Sequence, residues 1–282
     1  MRVYISVDME GIGGISHPDP TDPRDVRYPT SVALMIGETN AAIEGAVAGG
    51  ATDVLVNDSH WNMTNLLPAE LHPAARVLQG RKPWSMVAGA QPGADGRPGF
   101  DVALFVGYHA RAGHPRGTIA HTYSGAPVET RLAGRPTGEY GLNAMVLGAW
   151  GVPVGMVAGD DALAEEVEAW LPWAERVVVK TVDTTTSAIS VHPSVACERI
   201  RSAAQRAVQR AADGAGGGFA LLDVGRPVVI DVEYATGSVA DHVAIVPGAE
   251  RIGDRVVRHS SDDPVSAFRG FLAGIRIAGA IG

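Results

Sequence analysis

The chain of 282 residues has a single cysteine, Cys197. No intrachain disulfide can form, and a thiolate-rich structural zinc knuckle is disfavoured. Bases are scarce relative to acids, 23 Lys and Arg against 31 Asp and Glu, for a net charge of −8. With no Lys/Arg-rich run to offset that balance, a nucleic-acid partner is not expected. No uninterrupted apolar run approaches the roughly 18–20 residues of a membrane span, so no membrane partner is expected either. The opening residues show no basic n-region and no apolar h-region, and the expected location is the cytoplasm. The glycine-rich stretch SVDMEGIGG (6–14) lacks the GxGxxG spacing, and no acid follows about 20 residues on, as a dinucleotide fold requires. Trp61, Trp84, Trp150, Trp170 and Trp173 read as core or interface residues rather than a ligand box.

What is present is a β–α–β–α rhythm. Strands are expected at 3–7, 53–58, 102–110 and 152–160, and helices at 28–50, 139–151 and 162–171. Near-continuous apolar strands alternating with helices predict an α/β fold, with a mostly parallel sheet covered by helices on both faces. The later part reads as a smaller α+β portion: strands at 177–182, 227–235, 242–246 and 255–260, with helices at 194–212 and 264–279. A boundary near residue 180 divides a metal-binding catalytic portion, 1–180, from a portion, 181–282, that contributes to the pocket and to oligomer contacts. GAGGG (214–218) reads as a surface loop. Loops 11–27 and 88–101 are long enough to suggest function.

Chemistry collects where the first four strands end. They deliver Asp8 and Glu10, then Asp58 and His60, then His109, then Asp160 and Asp161. Open α/β sheets bind ligands at that carboxyl edge. If residues 8–10 stay extended, Asp8 and Glu10 point to the same side. His60 and His109 can each add a nitrogen. Glu139 follows a turn and opens a helix, where a carboxylate suits the positive helix end. Five such groups exceed the set of about three that a catalytic mononuclear zinc takes from protein, and suit a two-metal site better. Asp58 is either an orienting carboxylate behind a ligand or a turn residue. From spacing alone, His114 and His121 read first as polar residues, His121 on a half-exposed strand, TIAHTYS (118–124), and only second as acid–base groups.

The segments SVDMEGIGGI, VLVNDSHWNMTNL, LFVGYHARAG, TIAHTYS, GEYGLNA and VPVGMVAGDD resemble the zinc-dependent D-aminopeptidases of the DppA type, peptidase family M55. The resemblance runs in order over roughly residues 1–165 and more weakly beyond, through PVVIDVEYA. It implies a centre of two Zn²⁺ per chain held by Asp8, Glu10, His60, His109 and Glu139, with Asp8 as the bridge. It implies that His121 is the catalytic histidine, that the substrate is a small peptide with a D-amino acid at its N-terminus, and that the chain forms a homo-oligomer, a decamer. Loops 11–27 and 90–99 depart from the pattern, which bears on substrate preference. A two-metal amidohydrolase acting on another small amide would use the same ligands. A metal-dependent peptide-binding protein would tolerate the loss of His121.

Overall fold

The computed structural model describes residues 1–213 and 218–281, so the loop expected at 214–218 lies, but for Gly218, outside the described residues. In chain order the elements are β1 (Arg2–Val7), α1 (Tyr28–Ala48), β2 (Asp53–Asp58), β3 (Ala75–Leu78), β4 (Val102–Tyr108), β5 (Pro127–Leu132), β6 (Arg135–Pro136), α2 (Glu139–Ala149), β7 (Val154–Asp160), α3 (Asp161–Trp170), β8 (Glu175–Thr184), β9 (Ser187–Ser190), α4 (Pro193–Ala212), β10 (Val228–Tyr234), α5 (Gly237–Val243), β11 (Ala249–Arg251), β12 (Val256–Ser261) and α6 (Pro264–Ile281).

The larger sheet has seven strands in the order β3-β2-β1-β4-β7-β8-β9. All its pairings are parallel except β8–β9. Residues of β4 and β7 are buried throughout, as near-continuous apolar strands covered on both faces must be. Helices α1 and α4 pack together on one face; α2 and α3 cover the other. From β1 the chain steps to β2 on one side and later to β4 on the other. The β1/β4 boundary is therefore the switch point where an open α/β sheet gapes at its carboxyl edge.

The second sheet is antiparallel, in the order β11-β12-β10-β5-β6. Its inner face shares one apolar core with α2, α3 and α6. Chain order and spatial order differ around residue 180. The hairpin β5–β6 belongs to the second sheet, whereas α4 packs on α1 beside the first. Closing helix α6 is long and apolar enough to fit a membrane span by composition, which run-counting does not reveal because Arg269 and Arg276 interrupt it. It buries Ala267, Phe268, Phe271, Leu272 and Ile275 against the second sheet and α5.

Three local expectations are corrected. HVAIV, read as a strand, lies at the end of α5 and just beyond it. Thr236 caps that helix, its hydroxyl accepting the Val239 N–H at 3.3 Å, and Val239, Ala240 and Val243 form a helical rather than an alternating apolar face. TIAHTYS forms no strand. Its only ladder contact is an isolated bridge between Thr122 and Ser124, and Ile119 and Tyr123 take positive φ, at 53° and 62°. Finally, β1 ends at Val7, so Asp8 and Glu10 lie in the turn beyond it rather than on an extended strand.

Candidate metal centre

The turn after β1 is fitted against the end of β4 so closely that both backbones need glycine. A Cβ on Gly11 would lie 1.8 Å from the Tyr108 carbonyl oxygen, and one on Gly107, at φ +70°, would lie 2.1 Å from that of Asp8. Gly11 N–H donates to the Gly107 carbonyl at 2.7 Å, and Asp8 N–H to Val106 at 2.8 Å. The interlock places Asp8, Glu10 and His109 side by side at the switch point.

His60, just beyond β2, completes that half of the site. Its Nδ1 lies 3.0 Å from Glu10 Oε2 and 3.3 Å from Asp8 Oδ1, and its Nε2–H donates to the Thr21 carbonyl at 3.0 Å. That second bond assigns Nδ1 as the nitrogen that faces the acids. On the other side, His109 Nδ1–H donates to the Ala110 carbonyl at 2.9 Å, and Nε2 faces Asp8 Oδ2 and Glu139 Oε2, each at 3.5 Å. Glu139 opens α2, and its Oε1 accepts the Tyr123 N–H at 2.5 Å. The His121 ring stacks on that of His109, its Nδ1–H donates to the Ile119 carbonyl at 2.9 Å, and its Nε2 lies 3.8 Å from Glu139 Oε1.

All five groups expected as ligands therefore converge, with His121 beside them. Ligand atoms of Asp8, Glu10 and His109 lie within 4.8 Å of one another, as do those of His109, His121 and Glu139. His109 Nε2 and Glu139 Oε2 are buried without a hydrogen-bond partner. A cation would satisfy both, and a set of imidazole nitrogens and carboxylate oxygens suits a zinc-type ion.

The electrostatics agree. Burial, then the Glu10 carboxylate, raises Asp8 to about 7. Burial would raise Glu10 and Glu139 too, but the imidazoles of His60 and His109, respectively, hold both below the ordinary carboxylate value. Burial opposes charge on His60 and His109, yet Glu10 raises the first and Glu139 lifts the second to about 10. The acids thus call for positive charge, which protons on the histidines or bound cations can supply. His121 differs: burial, then His109, lowers it toward the neutral form.

The cluster opens into a cavity of about 640 Å³. Trp61, half-exposed, Met63 and Ile119 line it, as do Ser124, Thr185 and Thr186. Of the six non-glycine residues with positive φ among those described, five (Trp61, Met63, Ser85, Ile119 and Tyr123) line this cavity. Such backbone strain concentrates at functional sites.

Some expected residues fall elsewhere. Asp58 accepts the N–H groups of Asn65 and Leu66 at 2.6 and 2.8 Å, and Asn65 donates to the His60 carbonyl. It holds the His60 loop rather than the His60 ring. Asp160 lines no part of the cavity; it caps α3 through Leu163 N–H and accepts Thr118 N–H. His114 stays outside, on a shallow groove with Glu165.

Other contributors escape the sequence reading. Thr21 acts through its backbone carbonyl, so the length of loop 11–27 was its only signal. Beneath the site, a buried chain runs from Tyr123 OH to Asn143 Oδ1 at 2.5 Å. It continues from Asn143 Nδ2 to Tyr108 OH at 3.0 Å, then to Ser6 at 2.7 Å and Ser59 at 2.8 Å. These residues lie on five separate segments, and their proximity is invisible in one dimension.

A buried histidine–carboxylate cluster at the switch point of a mostly parallel sheet, open to a peptide-sized cavity, defines an α/β metal-site protein with the donor set of a metallohydrolase. The chain belongs to peptidase family M55, whose sequence profile, D-aminopeptidase, matches residues 1–273, and it is therefore an enzyme of the peptidase class. It is 35% identical over 280 residues to the D-aminopeptidase of Bacillus subtilis (strain 168), spanning 99% of this chain and 98% of that one. Its fold matches the Zn-dependent D-aminopeptidase DppA from Bacillus subtilis, described as a self-compartmentalizing protease. That match has a TM-score of 0.91 at 34% identity and covers 99% of this chain and 98% of the other.

Proposed function

We propose that the chain is a two-zinc aminopeptidase that removes the N-terminal residue from short peptides or amino-acid amides carrying a D-residue there, of the D-Ala type. The observation that carries this reading is the convergence of Asp8, Glu10, His60, His109 and Glu139, with His109 Nε2 and Glu139 Oε2 buried among them without partners. The zinc dependence and D-aminopeptidase activity of the relatives support it.

Asp8, Glu10 and His60 would hold one ion, and Asp8, His109 and Glu139 the other. Zinc so held supplies Lewis acidity toward the scissile carbonyl and lowers the pKa of water. Amide hydrolysis also needs a proton delivered to the departing amine as the C–N bond breaks. His121 carries it: Nδ1 is committed to the Ile119 carbonyl, which leaves Nε2 to accept a proton from water and pass it on. A free α-amine can reach Glu10, which lines the cavity, but not Asp160, which does not. The apolar wall of Trp61, Met63 and Ile119 faces the substrate side chain, and Ser124, Thr185 and Thr186 face its polar backbone.

The description of the related protein as self-compartmentalizing supports a homo-oligomer, and ten chains is the size we propose. The single cysteine, which rules out an intrachain disulfide, is the support for a cytoplasmic location. The test is a panel of D-Ala-D-Ala, L-Ala-L-Ala and N-acetyl-D-Ala-D-Ala with the zinc-loaded protein. Cleavage of the first alone is expected. Equal cleavage of the acetylated peptide would overturn the aminopeptidase reading in favour of a broader amidohydrolase.

A further inference from the structure

Lys180, on β8, is the most deeply buried cation among the described residues, 1% exposed. An ammonium without water is costly unless its charge and all three donors are matched. Lys180 has three backbone acceptors: the carbonyls of Glu10 and Ile15, and that of Ile12 at 3.3 Å. All three belong to the turn that carries the metal-facing carboxylate of Glu10. Buried Glu38, on α1, offsets the charge, and its Oε1 accepts the Gly13 N–H of the same turn at 2.8 Å. Asp160, paired with Lys180 across the sheet, offsets the charge more strongly than Glu38, and the Glu10 carboxylate adds a smaller share.

The donors of the turn are equally committed. Gly11 N–H is bonded to the Gly107 carbonyl and Gly14 N–H to Ser190 Oγ, at 2.7 and 2.9 Å. A turn with two glycines after Gly11 has wide conformational freedom when unrestrained. The Ile12 carbonyl also accepts the Ile15 N–H at 3.2 Å, but without a cation behind them the carbonyls of Glu10 and Ile15 would each need water or another donor.

We propose that Lys180 is a positioning residue for the metal centre: it gathers the carbonyls of residues 10, 12 and 15 and so holds Glu10 in place before any ion arrives. The inference rests on the metal reading above. It concerns the backbone of the turn and leaves the ligands themselves unchanged.

The test uses the full-length chain stripped of metal. Zinc affinity is measured by competition with a chromophoric chelator for the wild type and for Lys180→Met, which keeps the length of the side chain and loses the cation. Removing a group that orients a ligand typically costs about 10- to 100-fold in metal affinity, and a loss of that size is expected with the far-UV circular dichroism unchanged. A variant that melts at a lower temperature but binds zinc as tightly as the wild type would reduce Lys180 to a structural role and overturn the proposal. If Lys180→Met does not fold, amide exchange in the metal-free wild type decides. Slow exchange at Gly11, Gly13 and Gly14 without zinc is expected, and fast exchange that slows only on adding zinc would overturn it. A wild type that binds no zinc would instead refute the metal reading, and the exchange measurement would still judge the turn.

Discussion

The rings of His109 and His121 lie stacked, centroids 4.2 Å apart and planes inclined by 18°. One aims its Nε2 between two carboxylates, while the other leaves its Nε2 toward the cavity. The contact divides labour between like residues. His109 is drawn by Glu139 toward the charged form, which a metal ion would replace, and His121 is held toward the neutral form by burial and by His109 itself.

Replacing His121 by Ala should therefore separate chemistry from metal binding. We expect kcat to fall by about 10²–10⁴-fold, the range for loss of a positioned acid–base group, with zinc content unchanged. Kinetics and metal analysis on one preparation check this, and a near-normal kcat would remove His121 from proton transfer.

His259 gives a pH dependence distant from the site. It is 2% exposed in β12, both ring nitrogens lack partners, and it packs on Gly270 and Gly274 of α6. Burial, only partly opposed by Asp231, pulls its pKa down to about 4. Between that value and the unfolded value of about 6.5, the unfolded chain binds the extra proton, so stability is full above that window and falls as pH drops through it. The loss should reach about 3 kcal/mol at the acid end. Melting temperature against pH for wild type and His259→Leu measures it. The variant should show a flatter acid limb, and identical limbs would exclude His259 as the cause.

Gly107→Ala should damage fold and site together. The new Cβ meets the Asp8 carbonyl at 2.1 Å, in a backbone conformation that disfavours side chains. A loss of about 3 kcal/mol or more is expected from strain and overpacking combined. Denaturant unfolding tests this. A variant as stable as the wild type would show that the β1 and β4 ends do not interlock as described.

The convergence of these side chains was legible in the sequence for a physical reason. Asp8, His60 and His109 each follow an apolar strand by a few residues, and a parallel sheet brings such ends to one edge. Glu139 was legible as a first-turn acid, although its role was not. Other parts were hidden by length or by context. Strand β6 has two residues and β11 three, too few for alternation to register. The hairpin β5–β6 joins a sheet whose other strands lie about a hundred residues later in the chain. Residues 118–124 look extended because Thr, Ile and Tyr favour strands, but bonds from Thr118, Ile119 and Tyr123 to Asp160, Thr185 and Glu139 override that preference. His259 lies in the expected strand 255–260, where nothing in the run marks it as buried; a helix packed over β12 makes it core.

The most direct measurement of the two-zinc reading is a zinc titration of the chelated full-length chain, followed by hydrolysis of D-Ala-D-Ala. Activity should be absent without zinc and should rise to a plateau at two equivalents per chain. Full activity after thorough chelation, or a plateau reached at one equivalent per chain, would contradict it.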